Sequence, residues 1–435
     1  MTALNRYFPA PDETPTAEAA TLSAMALGMK PSKILVIAYA VRARIDAGAP
    51  VVNFTVGDFA PRHFPVPDAL KQGIIAAVED DQTNYPPAHG IPELRAAIQR
   101  HYADDLGLDY PEDAIVVASG ARPALYAAYQ CLIDPGEVVV TPAPSWNNDN
   151  FSQLVGGRHV VVPSRPEDGF MPTAEALAPA LRDARLLVLN SPMNPAGTML
   201  REAQLRAICD VVLTENARRA KAGQRALYLV YDHVYRMLAF KGREHFTPVQ
   251  LAPEMARYTL YVDAISKCFA STGLRVGWML APPFITARIR ALMTHMGAWA
   301  PRPEQHATAK LLGDRAAIDA YLGRFRQGLE ARLDRLFKAF AAWKAEGLPV
   351  DAIAPEGAIY LSVHFDLEGR PGFADEDAVL EWLLDEAGCA VVPFSAFGDH
   401  TNRGWFRFSV GAVGEDEIEA CLPRLYAALT KVARA

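Results

Sequence analysis

Lys267 stands in the segment Ser266-Lys267-Cys268-Phe269-Ala270-Ser271-Thr272-Gly273-Leu274-Arg275-Val276-Gly277-Trp278, in a short turn after a strand-like apolar run. A lysine whose amine is kept neutral can attack a carbonyl and hold it as a Schiff base. Arg275, eight residues on, is within reach of the same site and suits a phosphate. The plainer reading is a solvated lysine on a loop. Asp232 closes another apolar run, in Tyr231-Asp232-His233-Val234-Tyr235. In open α/β sheets, ligands bind at the carboxyl ends of the strands. A carboxylate there can keep a ring nitrogen protonated and make the ring an electron sink. Tyr235 can hydrogen-bond a ring hydroxyl. An aspartate after a strand is also a common helix N-cap.

Three further segments join these. Asn190-Ser191-Pro192-Met193-Asn194-Pro195-Ala196-Gly197 is a turn stiffened by two X-Pro steps and a glycine, with Asn194 between them as a fixed donor. Ser119-Gly120-Ala121-Arg122 joins a strand to a helix, and a small-residue turn at a helix N-terminus is an anion cradle. Trp146 offers an indole that can stack on a flat ring, although a tryptophan is as readily core.

The surrounding elements must bring these segments together. Short apolar runs at Ile115–Ser119, Val138–Thr141, Val160–Val162, Leu186–Asn190, Ala226–Tyr231, Tyr258–Val262 and Val276–Leu280 alternate with helical stretches, among them Pro123–Ile133 and Arg201–Arg219. That grammar predicts an α/β fold, a mainly parallel sheet flanked by helices. Residues 315–346 read as one amphipathic helix, with Ile318, Leu322, Phe325, Leu329, Leu333, Leu336 and Phe340 at three- and four-residue steps. Beyond it, strands at Ala358–Val363, Cys389–Pro393 and Trp405–Val410 and helices near 376–387 and 415–432 predict a smaller α+β domain. The expected division is an arm over 1–32, a large domain over 67–300, and a small domain of 33–66 with 301–435, broken near Pro301 and Pro303.

Composition narrows the function classes. The 435 residues are 51% hydrophobic and 21% charged, the balance of a packed globular chain. A net charge of −7 and no basic run argue against nucleic acid. Five cysteines without a CxxC pair argue against a disulfide framework or a metal site. The first residues carry acids and prolines rather than a basic start with an apolar stretch, and the run Ile34–Val41 is far too short to span a bilayer. A cytoplasmic protein without membrane contact is expected.

In order along the chain, these segments resemble the class I and II aminotransferases, pyridoxal-phosphate (PLP) enzymes of fold type I, and especially the bacterial aspartate aminotransferase branch. The resemblance runs from about Met29 to the C-terminus. It takes in Met29-Lys30-Pro31-Ser32, Val56-Gly57-Asp58, Tyr85-Pro86-Pro87-Ala88-His89-Gly90-Ile91-Pro92-Glu93-Leu94-Arg95 and Trp405-Phe406-Arg407-Phe408-Ser409 besides the segments above. It implies that Lys267 carries PLP as a Schiff base and later shuttles the proton. It implies that Asp232 pairs with the pyridinium nitrogen, that Tyr235 and Asn194 bond the ring hydroxyl, and that Trp146 stacks on the ring. Gly120, Ala121, Arg122, Ser266 and Arg275 would hold the phosphate. Tyr85 would reach the phosphate of a neighbouring subunit, implying a homodimer with shared sites. Arg407 would pair with the substrate α-carboxylate, and the Gly57 backbone would close over it.

The chain departs from the family pattern at four places. Ala196 precedes Gly197 where threonine is usual. His233 follows Asp232 where glutamate is common, and is expected to face solvent. Gly57-Asp58-Phe59 replaces Gly-x-Pro-Asp-Phe. Pro123 follows the cradle. Arg122 stands where related aspartate enzymes place a lysine for the distal carboxylate, so aspartate or glutamate with 2-oxoglutarate as acceptor is the expected pair, the alternative for Arg122 being a surface or phosphate-shell charge. Phe59, Phe64 and Trp299 leave an aromatic substrate open. Lyase, decarboxylase, cyclase or oxidase chemistry on the same fold is the competing reading.

Overall fold

The computed structural model describes residues 21–29, 33–146 and 148–434. Most of the expected arm, residues 30–32 of the resemblance, and position 147 lie outside the described residues.

Thirteen strands are present among the described residues. A short β1 (Val52–Asn53) precedes the large sheet, built from β2 (Ile115–Ala118), β3 (Val138–Ala143), β4 (Arg158–Pro163), β5 (Ala184–Asn190), β6 (Tyr228–Asp232), β7 (Thr259–Ala264) and β8 (Gly277–Leu280). Its order is β2-β8-β7-β6-β5-β3-β4. All neighbours run parallel except β8, which is antiparallel to both β2 and β7. The central strands are mainly apolar because helices cover both faces, and β7 is buried at every position, Asp263 included. The reversal of β8 matters for chemistry. Its first residue lies at the edge where the parallel strands end, so the turn 265–276 stays at that edge.

The smaller sheet has the order β12-β13-β10-β9, all antiparallel, with β9 at Val350–Ile353, β10 at Tyr360–Phe365, β12 at Val392–Pro393 and β13 at Trp405–Ser409. Tyr360 pairs with Ser409 and Ser362 with Arg407. Side chains alternate along a strand, so these four share one face. Leu361, Val363, Phe406 and Phe408 take the other face and enter the core against Phe340 and Phe54.

The run Cys389–Pro393 is not the single strand expected. It breaks at Val391, and β11 (Cys389–Ala390) pairs in parallel with β1 while β12 pairs with β13. A five-residue apolar run carries no mark of which neighbour each half will find. The long helix forms as expected over Arg315–Ala345, with all seven periodic residues buried. Helix Arg302–Leu312 lies against helices Asp68–Glu79 and Pro92–Leu106 of the large layer. A Cβ on Gly73 would come within 2.9 Å of Ala307 Cβ, so the first of these contacts is set by small residues.

Candidate active site

Most segments that carry a candidate residue end or begin at one edge of the large sheet; Gly57, Tyr85 and Arg407 come from outside it. Asn190 closes β5 and Asp232 closes β6, in adjacent register. Trp146 follows β3, Ser119 and Gly120 follow β2, Lys267 follows β7, and Arg275 precedes β8. Apart from Ser119 and Gly120, they line a cavity of about 570 Å³ together with Tyr360 and Arg407 of the small sheet. Gly57, Ala121, Arg122, Trp146, Asn194, Asp232, Tyr235, Ser266, Lys267, Arg275 and Arg407 all face it. Gly120 lies just behind, as N-cap of helix Ala121–Leu132, with φ +90°. Tyr85 does not join it. That side chain is 84% exposed and packs edge-on against Trp299.

The Lys267 amine donates to the Gly57 carbonyl at 2.7 Å. Burial pulls it down to about 8; Asp58 opposes, while Arg407, Arg122 and Arg275 lower it further. A neutral nucleophile near neutral pH is thus accessible. Burial pushes the Asp232 carboxyl up to about 7, against the Val234 N–H that it accepts at 3.2 Å; Asp263 adds to the rise and Lys267 reduces it. A cationic ring nitrogen beside it would restore the carboxylate.

Asn190 braces the two loops, donating to the Asp232 carbonyl at 2.9 Å and accepting from the Asn194 N–H at 2.8 Å. The Asn194 side chain then accepts from Arg407 Nη1 at 2.9 Å, and the Thr55 carbonyl accepts from Nη2 at 2.6 Å. Arg407 is 2% exposed, its Nε has no partner, and no carboxylate lies within ion-pair distance among the described residues. The rings of Tyr360 and Phe397 flank it at 4.7 and 4.8 Å. A buried guanidinium held only by neutral acceptors is costly unless an anion arrives.

The phosphate end is equally shaped. The Arg275 backbone has φ +55°, and its side chain donates to the carbonyls of Thr272 at 2.6 Å and Ser119 at 3.1 Å. Helix Ala121–Leu132 has no side-chain cap, so its first N–H groups are free. Pro123 falls in that first turn, where a missing N–H costs nothing. Gly277 permits the turn: a Cβ there would stand 2.5 Å from the Gly120 carbonyl carbon and 2.7 Å from the Ala121 nitrogen. Arg122 lies over the Trp146 ring at 4.5 Å.

Sequence reasoning missed Tyr360, whose hydroxyl lies 2.6 Å from that of Tyr235. Only the register of β10 on β13, which sets Tyr360 two positions from the partner of Arg407, could have found it. Asn190, Asp58 and Thr272 also face the cavity without having been given roles. Two expectations are corrected. His233 does not face solvent: it is fully buried, bonded to Tyr102 at 2.8 Å and stacked on Tyr261. It follows Asp232 on the pleat and so points to the opposite face, into a pocket of aromatic rings. Phe59 and Phe64 pack on Phe325, and Trp299 on Tyr85; none borders the cavity.

Residues 49–425 match the family model described as aminotransferase class I and II. A lysine, an aspartate and an anion-seeking arginine converge at one edge of an α/β sheet, and the chain belongs to the class I and II aminotransferases. Among relatives, the probable aspartate/prephenate aminotransferase of Thermus aquaticus is 31% identical over 414 residues, 94% of this chain and 99% of its own. The crystal structure of the Rhizobium meliloti aspartate aminotransferase superposes with a TM-score of 0.85 at 28% identity, over 94% of this chain and 98% of that one. The Thermus thermophilus aspartate aminotransferase with maleate gives 0.83 at 28% identity, over 94% and 99%. Among the described residues, no helix is long and apolar enough to cross a membrane, and no cluster of His, Cys, Asp and Glu suits a metal ion.

Proposed function

We propose that this chain is a pyridoxal-phosphate aminotransferase that moves the amino group of aspartate or glutamate to a 2-oxo acid such as 2-oxoglutarate. Arg407 carries the reading: a buried cation, without an acid, set beside the Lys267 amine and the Asp232 carboxyl, is a receptor for the substrate α-carboxylate. The residues fit the cofactor. Three arginines (Arg122, Arg275 and Arg407) face two carboxylates (Asp58 and Asp232) in the cavity, an excess that suits a phosphate and a substrate acid. Bound there, PLP supplies an electron sink for charge developing at the substrate α-carbon.

Lys267 would hold the cofactor covalently, and its amine, once free, is the base placed to take the proton from the substrate α-carbon. Asp232 holds the proton on the ring nitrogen. Tyr235 and Asn194 bond the ring hydroxyl, and Trp146 covers the ring. Ser266, Arg275 and the Gly120-Ala121-Arg122 cradle take the phosphate. Arg122 also reaches toward a distal carboxylate, the feature that selects dicarboxylic substrates. Maleate in the Thermus thermophilus relative, itself a dicarboxylate, supports that choice. Tyr85, exposed and outside its own cavity, serves the phosphate of a second copy, so the unit is a homodimer with shared sites. Five free thiols accord with the cytoplasm.

The test is the absorbance of the purified, cofactor-loaded protein before and after aspartate, glutamate, phenylalanine or alanine without a keto acid. Conversion to the aminated cofactor with aspartate or glutamate supports the reading. Conversion by phenylalanine alone moves the substrate to the aromatic class, and ammonia release without aminated cofactor moves the chemistry to a lyase or oxidase. Absence of any cofactor band after reconstitution refutes it.

A further inference from the structure

Four consecutive residues, Thr55 to Asp58, are each anchored at the junction of the two sheets. The Thr55 carbonyl accepts from Arg407 at 2.6 Å and the Val56 carbonyl from Ser409 Oγ at 2.7 Å, both on β13. The Gly57 carbonyl accepts from Lys267 Nζ at 2.7 Å, and the Asp58 carboxylate from Thr272 Oγ1 at 2.7 Å, both on the turn after β7. The Thr272 carbonyl in turn accepts from Arg275. Behind the loop, a Cβ on Gly411 would collide with the Asp58 carbonyl, so the segment lies flush on the chain beyond β13. In this chain the aspartate directly follows Gly57, which sets its carboxylate at the cavity wall rather than farther along the loop.

We propose that Asp58 is a positioning residue for the transfer reaction: clasped by Thr272, its carboxylate keeps the Gly57 carbonyl on the Lys267 amine and offsets the guanidiniums of Arg407, Arg122 and Arg275 around it. The inference rests on the reading of Lys267 as the cofactor-bearing lysine. Asp58 is the acid that most favours the charged amine, against three arginines that disfavour it; Asp232, Tyr235 and Tyr360 complete the titratable groups facing the site. Asp58 also accepts its neighbour's Phe59 N–H at 2.8 Å, so a turn-capping role is the competing explanation. Asparagine would serve the cap and the clasp equally well and lacks only the charge. The two roles are therefore separable.

The full chain, loaded with PLP, is reduced with borohydride, and the labelled peptide is identified by mass. A label elsewhere than Lys267 removes the reading beneath the inference. With the label at Lys267, the pH midpoint of the bound cofactor's absorbance is compared in the parent, Asp58→Asn, Asp58→Glu and Thr272→Val. In Asp58→Asn the midpoint falls by about one pH unit. In Asp58→Glu it stays near the parent, and in Thr272→Val the amino-acid KM rises several-fold while kcat changes less. The pH dependence of Lys267 modification by an amine reagent in the cofactor-free chain falls in parallel in Asp58→Asn. An unmoved midpoint in Asp58→Asn, or an equal fall in Asp58→Glu, overturns the proposal in favour of the turn cap.

Discussion

The hydroxyls of Tyr235 and Tyr360 lie 2.6 Å apart, joining the loop after β6 in the large sheet to the first residue of β10 in the small one. Both phenols are buried, and burial holds each proton firmly, with the other phenol as neighbour. Tyr360 therefore fixes the direction in which Tyr235 offers its hydroxyl. Tyr360→Phe should cost about 1 kcal/mol of stability, seen in denaturant titration. It should also shift the absorbance titration of the bound cofactor, which a packing defect alone would leave in place.

Arg407→Met tests the substrate anion site against a structural role. Removing a buried, acid-free guanidinium should leave the melting temperature unchanged or raise it. The same change should lower kcat/KM by roughly 100-fold or more, mostly through KM. A large loss of stability with KM intact would assign Arg407 to the fold instead.

Arg122→Leu addresses the distal group. Activity with aspartate and glutamate should fall about 10- to 100-fold relative to alanine, the loss of one charge-assisted pair. Equal losses for all three amino acids would place Arg122 in the phosphate shell.

The Asp232 carboxyl titrates at about 7 in the cofactor-free fold, above its ordinary range. Well below about pH 4 both the folded and unfolded forms bind the proton, no charge is buried, and the group adds nothing to the pH dependence of stability. As pH rises toward 7, the unfolded chain releases the proton first, so the cofactor-free protein loses stability. Asp232→Asn, always neutral, should melt above the parent at pH 8 and close to it at pH 4. Saturating PLP should shrink the gap, because the ring nitrogen gives the parent carboxylate its partner.

Gly277→Ala places a methyl 2.5 Å from the Gly120 carbonyl carbon. Backbone is on both sides, so the turn must shift. The dissociation constant for PLP should rise at least 10-fold, an order-of-magnitude expectation for a displaced anion cradle, with a smaller effect on thermal stability.

Much of this site was legible in the chain before folding. The Lys267 turn, the aspartate that ends β6, the Asn194 turn and the Gly120 cradle each sit where an apolar run stops, and apolar runs mark buried strands in any sequence. The 315–345 helix was equally plain, because its apolar residues recur at its own period. What escaped depended on neighbours. His233 looked like a surface residue until Tyr102 and Tyr261 enclosed it. Phe59 and Phe64 looked like pocket walls until Phe325 drew them inward.

The sequence by itself determined the class: residue types and their spacing along strand ends are local properties, and these already pointed to a Schiff-base lysine and an arginine for a phosphate, while the family resemblance added the arginine for a carboxylate. The tertiary structure alone decided how the two halves meet. The antiparallel reversal of β8 returns Arg275 to the edge that carries Lys267. The register of β10 on β13 brings Tyr360 to Tyr235, and the path of Thr55–Phe59 brings Asp58 to Thr272. Register and strand direction are set by packing between residues far apart in the chain, and no local pattern encodes them.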